Sequence, residues 1–211
     1  MKEIDLPFAG QITITQKIGS LIKELTERKE VKNIVDIGTF NGLGSTLCII
    51  HGMDDSKELW SIELYPDMYQ QSIENLSSVL NPNIHILNGR IIEYDEVFWF
   101  DHSIINFNID EHARLWYKKD LEHLKNSKNV IEELPQIIDL LVLDGGEYTT
   151  YPEYKKLKDR SNIIVLDDTI IHKCTKVRNE LINDFNFKVL YGISTQSLIA
   201  VNIHFRVGNY N

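Results

Sequence analysis

Cysteine is scarce in this chain, with only Cys48 and Cys174 among 211 residues, far apart and outside any C-x-x-C or histidine-rich context. A disulfide framework and a thiolate zinc site are therefore excluded, and both read as ordinary thiols. Long apolar runs are also missing: no stretch approaches the roughly 18 residues that a membrane span requires. The opening Met1-Lys2-Glu3-Ile4-Asp5-Leu6-Pro7 has no apolar h-region, so the chain reads as cytoplasmic, without a membrane partner. Positive charge is in deficit, 22 Lys and Arg against 31 Asp and Glu for a formal charge of -9. That balance argues against a dedicated nucleic-acid partner, because phosphate binding needs a surplus of cations on at least one face. Internal repeats and low-complexity tracts are absent. What is present, 43% hydrophobic and 25% charged residues, suits one domain over residues 1–211, long enough to bury a sheet under helices on both faces. Homo-oligomerisation is left open.

The apolar pattern alternates between helix and strand. Ile18, Leu21, Ile22 and Leu25 recur at helical spacing ahead of a strand at residues 33–37. A second strand, 59–62, ends in Glu63, and Pro66-Asp67 opens a helix carrying Ile73, Leu76 and Leu80. Ile84 to Leu87 is a third strand. Leu140 to Leu143 and Ile163 to Leu166 are short continuous apolar runs ending in acids, as buried parallel strands do. Cys174, Val177, Leu181 and Phe185 mark a further helix, and residues 187–193 and 198–203 close the chain as an antiparallel pair. The expected fold is a doubly wound α/β sheet, mostly parallel, with a terminal antiparallel pair. Residues 92–136 are more than a simple connection needs. This insertion holds Phe98, Trp99, Phe100, His102, Phe107, His112, Trp116, Tyr117 and His123, with Ala113, Tyr117, Leu121 and Leu124 on one helical face. It is expected to be an acceptor lid, a small satellite core, or both.

The segment Val35-Asp36-Ile37-Gly38-Thr39-Phe40-Asn41-Gly42-Leu43-Gly44-Ser45 reads as a buried strand entering a glycine-studded turn that opens a helix. Its G-x-x-x-G-x-G spacing is not the dinucleotide G-x-G-x-x-G, whose middle glycine admits a pyrophosphate. The spacing, with Asp36 ahead of it, resembles the first motif of class I S-adenosylmethionine-dependent methyltransferases. That resemblance implies a seven-stranded Rossmann-like sheet and S-adenosylmethionine as cofactor, with contacts from Asp36, Gly38, Thr39, Asn41, Gly42 and Ser45. Glu63, closing the second strand, is placed to accept both ribose hydroxyls, a task it would equally perform for a nicotinamide cofactor. Gly89 and Arg90 follow the third strand, where such methyltransferases place residues against the adenine.

Leu143-Asp144-Gly145-Gly146-Glu147-Tyr148 and Leu166-Asp167-Asp168-Thr169 carry the second signal. They resemble metal-dependent O-methyltransferases of the catechol and macrocin types, which have an acid after the fourth strand and an acid followed by Asp or Asn after the fifth. Ends of adjacent parallel strands bring carboxylates close enough to share a hard cation. The implied metal ligands are Asp144, Asp167 and Asp168, and all-oxygen ligation favours Mg²⁺ over zinc. Such an ion binds the acceptor hydroxyl and lowers its pKa. The alternatives are that Asp167 and Asp168 cap the next helix, or that Asp144 meets the cofactor amino group without metal.

Catechol-type enzymes have a lysine where this chain has Glu147. The macrocin-like enzymes lack it too, and in them the acid at the Asp167 position is the favoured base. The expected catalytic residues are accordingly Asp167 and Asp144, with His172 and Lys173 as nearby candidates. The resulting expectation is an O-methyltransferase acting on a hydroxyl of a small molecule, with a sugar or glycan precursor implied by resemblance alone. A metal-independent methyltransferase, a nicotinamide-dependent dehydrogenase and a non-catalytic cofactor-binding subunit are the rivals. The dehydrogenase is disfavoured by the glycine spacing and because the Tyr151 and Lys155 pair lies on the wrong side of the fifth strand.

Overall fold

The computed structural model describes residues 6–7, 12–97, 111–192 and 195–205; the side chains of residues 111–114, 116 and 172 lie outside that description. The elements in chain order are α1 (Lys17–Thr26), β1 (Asn33–Ile37), α2 (Ser45–Gly52), β2 (Glu58–Glu63), α3 (Pro66–Leu76), β3 (Ile84–Asn88), α4 (Glu111–Asn126), β4 (Ile138–Leu143), α5 (Thr150–Leu157), β5 (Ser161–Leu166), α6 (His172–Asn183), β6 (Phe187–Tyr191) and β7 (Leu198–Asn202). The strands form one seven-stranded sheet in the order β3-β2-β1-β4-β5-β7-β6. β1 to β5 are mutually parallel, β7 runs antiparallel to β5, and β6 antiparallel to β7. This is the doubly wound sheet with a terminal antiparallel pair that the strand and helix alternation implied.

Both faces of the sheet are covered, which explains why the central strands read as unbroken apolar runs. Successive residues point to opposite faces. Val35, Ile37, Leu141 and Leu143 pack with Leu124 of α4, Tyr154 and Leu157 of α5, and Val177 and Leu181 of α6. Ile34, Leu140 and Val142 pack on the other side with Ile18, Ile22 and Leu25 of α1, Leu47 of α2 and Leu76 of α3. All six residues of β4 are buried. Register then aligns the carboxyl ends. Ile37 pairs with Ile62 and with Leu143, and Leu143 with Leu166, so the next residues along, Gly38, Glu63, Asp144 and Asp167, emerge together along one edge.

Two local expectations change. α6 ends at Asn183, and Phe185 is 95% exposed rather than on its apolar face. The chain has already turned there, with Phe187 N–H bonded to the Asp184 carbonyl at 3.0 Å. In the insertion, Trp99, Phe98, Phe100, His102 and Phe107 lie outside the described residues, as do the side chains of His112, Ala113 and Trp116. The described part of it joins the main core: Leu124, Val130 and Leu134 are buried there, and Tyr117 meets Tyr148 edge-on at 4.9 Å. After α4 the chain returns beside the end of β3, where Arg90 donates its N–H to Lys128 and accepts one from Val130. Among the described residues, no helix is long and apolar enough to cross a membrane.

Candidate active site

A cavity of about 590 Å³ opens over the carboxyl ends of the parallel strands, where doubly wound folds place ligands. One wall is the turn after β1. Gly38 has φ +101°, and a Cβ there would lie 2.4 Å from the Asp144 carbonyl oxygen. No other residue fits without moving β4. The Gly38 and Thr39 N–H groups both donate to the Ile62 carbonyl, at 3.0 and 3.1 Å, tying the turn to β2. Gly42, with φ +83°, faces away from the cavity, where a Cβ would meet Leu76 of α3 at 2.8 Å.

Several residues of this turn act as scaffold. Asp36, fully buried, accepts hydrogen bonds from Ser45 at 3.1 Å, Thr46 at 2.6 Å and Ser61 at 2.9 Å. It thereby fastens the start of α2 to β2, and burial pushes its carboxyl up to about 6. Asp36, Asn41 and Gly42, expected among the cofactor contacts, do not line the cavity; Gly38, Thr39, Ser45, Glu63, Gly89 and Arg90 do. Asn41 instead accepts the Leu43 N–H and, through its carbonyl, the Asn75 amide. The guanidinium of Arg90 is engaged mainly by the residues just after it, bonding the Ile92 carbonyl at 2.8 Å and Glu93 at 2.6 Å, and also the Ser127 carbonyl of the returning chain at 3.3 Å.

Glu63 is 5% exposed and accepts the Phe40 N–H at 2.6 Å on one oxygen and the Tyr65 N–H at 2.8 Å on the other. Burial pushes it up to about 7. Each oxygen keeps a further lone pair that a hydroxyl can use. Phe40, held at φ +51° and 54% exposed, stands at the rim.

Asp144 and Lys173 also line the cavity, whereas Asp167 and Asp168, which cluster with Asp144, do not. Asp144, Asp167 and Asp168 each offer an oxygen within 4.8 Å of the others. Asp168 sits at φ +55°, a conformation costly for a side-chain-bearing residue and common at functional sites. The loop between β6 and β7 helps hold it: Gln196 donates to Asp168 at 2.9 Å, and the Thr169 N–H reaches the Gln196 carbonyl at 2.7 Å. Ser197 donates to Asp167 at 2.7 Å. Lys173, 6% exposed on the first turn of α6, donates to Asp144 at 2.7 Å and to Asp168 at 3.3 Å. Burial raises Asp144 to about 6 against the opposing pull of Lys173. Burial also works against the Lys173 ammonium, but Asp144 and Asp168 outweigh it and hold its pKa above the ordinary lysine value. His172 opens α6, and its side chain lies outside the described residues.

Two buried acids, one lining the cavity and one beside its Gly146, escaped the sequence reading. Glu153 of α5 is 8% exposed, lines the cavity, and has one oxygen, Oε2, without a hydrogen-bond partner among the described residues; burial pushes it up to about 8. Asp120 of α4, buried beside Gly146, accepts the Tyr65 hydroxyl and is raised by burial to about 6. Each reads in sequence as a solvated helix charge, and no local signal separates it from one.

For a magnesium ion the donor type is suitable, because three carboxylates supply only hard oxygen. Four of their six oxygens already accept a hydrogen bond: Lys173 holds one oxygen each of Asp144 and Asp168, Gln196 the second oxygen of Asp168, and Ser197 one oxygen of Asp167. Lone pairs remain, but a divalent ion among these acids would face the Lys173 ammonium, 2.7 Å from Asp144, and that like charge opposes it unless the Lys173 head moves away.

No protein-family model matches the sequence, and no curated protein matches it. Solved structures do match. An O-methyltransferase from Bacillus cereus in complex with SAH superposes with a TM-score of 0.59 at 13% identity, covering 92% of this chain and 84% of that one. The SAH-bound methyltransferase PaMTH1 from Podospora anserina gives 0.59 at 17%, over 87% and 76%. The O-methyltransferase TomG from Streptomyces achromogenes, involved in tomaymycin synthesis and in complex with SAM, gives 0.57 at 12%, over 90% and 82%. The chain has the Rossmann-like fold of the class I S-adenosylmethionine-dependent methyltransferases.

Proposed function

We propose that the protein is an S-adenosylmethionine-dependent O-methyltransferase acting on a hydroxyl of a small molecule, with a sugar or glycan precursor as the favoured acceptor class. The observation that carries this reading is that one cavity joins the glycine turn and Glu63 on one side to Asp144 and Lys173 on the other. SAH or SAM bound to structures of the same fold supports the cofactor assignment. The sugar preference rests on the resemblance of the Asp144, Asp167 and Asp168 motifs to the macrocin-type enzymes. A single domain, a cytoplasmic site of action and an acceptor-binding role for residues 92–136 belong to the same reading.

S-adenosylmethionine, when bound, supplies an activated methyl group on a sulfonium. Glu63 accepts the ribose hydroxyls beside the turn of Gly38 and Thr39, and Ser45 and Gly89 bound the pocket. Asp144 and Lys173 would hold the acceptor hydroxyl on the acidic side, where the cofactor would supply transfer of its methyl group to the acceptor oxygen, the sulfur keeping the electron pair of the broken carbon–sulfur bond. The hydroxyl proton passes to a carboxylate, for which Asp167, oriented by Ser197, is the assigned base. The acidic lining also attracts a positively charged cofactor. Magnesium, expected at Asp144, Asp167 and Asp168, would lower the acceptor pKa, but Lys173 already shares Asp144 and Asp168.

Calorimetry with S-adenosylhomocysteine and, in parallel, NADH tests the reading. Binding of S-adenosylhomocysteine alone is expected; binding of NADH without it overturns the methyltransferase assignment in favour of a dehydrogenase. A panel of nucleotide sugars, free sugars and catechols then tests the acceptor class.

A further inference from the structure

We infer that Lys173 is the resident cation of the carboxylate cluster, standing where a divalent ion would otherwise bind, so that the site holds and orients its acceptor without metal. The inference rests on the methyltransferase reading for its chemistry and on the contacts of Lys173 for its substance. The ammonium lies 2.7 Å from an oxygen of Asp144 and 3.3 Å from an oxygen of Asp168. These are two of the three acids whose oxygens come within 4.8 Å of one another. An ammonium between two carboxylates takes one lone pair from each and puts a positive charge where a hard cation would have to sit, so that like charge opposes the ion.

The placement is built into the fold. Lys173 sits on the first turn of α6, five residues after Asp168, and its side chain is 6% exposed, so its head is held against the cluster. It lines the cavity, so the same head faces the space a ligand would fill. Gln196 and Ser197 donate from the other side, leaving a cluster whose neighbours are hydrogen-bond donors. A lysine has three N–H donors. Two meet Asp144 and Asp168, and the third is the one we assign to the acceptor oxygen, which it holds while a carboxylate removes the proton. A point charge that also donates hydrogen bonds does part of what a metal does, polarising the hydroxyl without ligating it.

The test uses Mn²⁺ as probe, followed by calorimetry and by the loss of its free-ion paramagnetic resonance signal, on the wild type, Lys173→Gln and the double variant Lys173→Gln/Asp144→Asn. The wild type is expected to bind Mn²⁺ weakly or not at all. Lys173→Gln is expected to bind it at least about tenfold more tightly, and Asp144→Asn added to that variant is expected to remove the gain. Tight Mn²⁺ binding by the wild type that Asp144→Asn abolishes overturns the inference, as does a folded Lys173→Gln that gains no affinity. If Lys173→Gln does not fold, the wild-type titration with Asp144→Asn as control decides. Binding of S-adenosylhomocysteine is measured on the same samples. Its absence defeats the methyltransferase reading while leaving the metal result to stand or fall independently.

Discussion

The two walls of the cavity are built differently. The glycine wall is backbone: Gly38 is held by the proximity of the Asp144 carbonyl, and its N–H, with that of Thr39, is fixed to β2. The acidic wall presents the side chains of Asp144 and Lys173 to the cavity, and these are held by hydrogen bonds and ion pairs in a cluster that includes Asp168 and the β6–β7 loop. Shape on the first wall is enforced by steric exclusion, which tolerates no substitution. Charge on the second is distributed over several partners, which tolerates exchange as long as the sum is kept. The first wall suits recognition of an invariant cofactor and the second suits adaptation to an acceptor.

If that contrast holds, variants separate into distinct classes. Gly38→Ala should be the most damaging, since the new Cβ is strained at φ +101° and clashes with β4. A cost of at least about 1–3 kcal/mol is expected, seen as a lowered Tm together with loss of S-adenosylhomocysteine binding by calorimetry. Asp144→Asn should slow turnover by roughly 10²–10³ while leaving S-adenosylhomocysteine affinity within about tenfold of wild type. An equal loss of both would erase the distinction between the walls. Asp36→Asn, behind the glycine turn, should cost about 1–3 kcal/mol of stability through its unsatisfied hydroxyl partners, read in a denaturant titration, with weakened cofactor binding only as a consequence.

Buried carboxyls are raised on both sides of the cavity. Glu63 and Glu153 are raised to about 7 and about 8, above the ordinary glutamate value of 4.5. The folded chain then binds more protons than the unfolded one between these values, so the unfolding free energy falls as pH rises from about 5 to 8 and levels off above. Glu153→Gln, which removes the more strongly raised group, should flatten that decline and lift the Tm at pH 8 by a few degrees, about 2–4 °C per kcal/mol gained for a chain of this size. A scan of Tm against pH on both proteins measures it; a parallel decline in the two would reject the assignment. The smallest effect is expected at Phe185, 95% exposed: Phe185→Ser should stay within about 0.5 kcal/mol of wild type, since it belongs to neither wall.

Much of this was legible in the chain. The apolar runs of β4 and β5 announced buried parallel strands because both faces of those strands are covered, and the acids that terminate them fell at the ligand edge as expected. Gly38 and Gly42 marked the turn because positive φ and close approach leave only glycine. The direction in which a side chain points was less legible. Asp36 and Gly42 lie in the same motif as Gly38 yet face away from the cavity, because alternation along β1 and the packing of α3 turn them inward. Arg90 was read toward the adenine and does line the cavity, but its guanidinium is bonded to Ile92, Glu93 and Ser127. Glu153 and Asp120 look like surface charges until α5 and α4 are laid over the sheet.

The sequence alone therefore determined the order of strands and helices, the glycine turn, and the presence of acids at the strand ends, since each follows from local periodicity or local backbone geometry. Only the tertiary structure decided who meets whom. Asp144 and Lys173 are 29 residues apart, Asp167 and Ser197 30, and Tyr65 and Asp120 55. Such pairings leave no periodic trace, because they depend on parallel register and on helices returning over the sheet to bring distant side chains within hydrogen-bond reach.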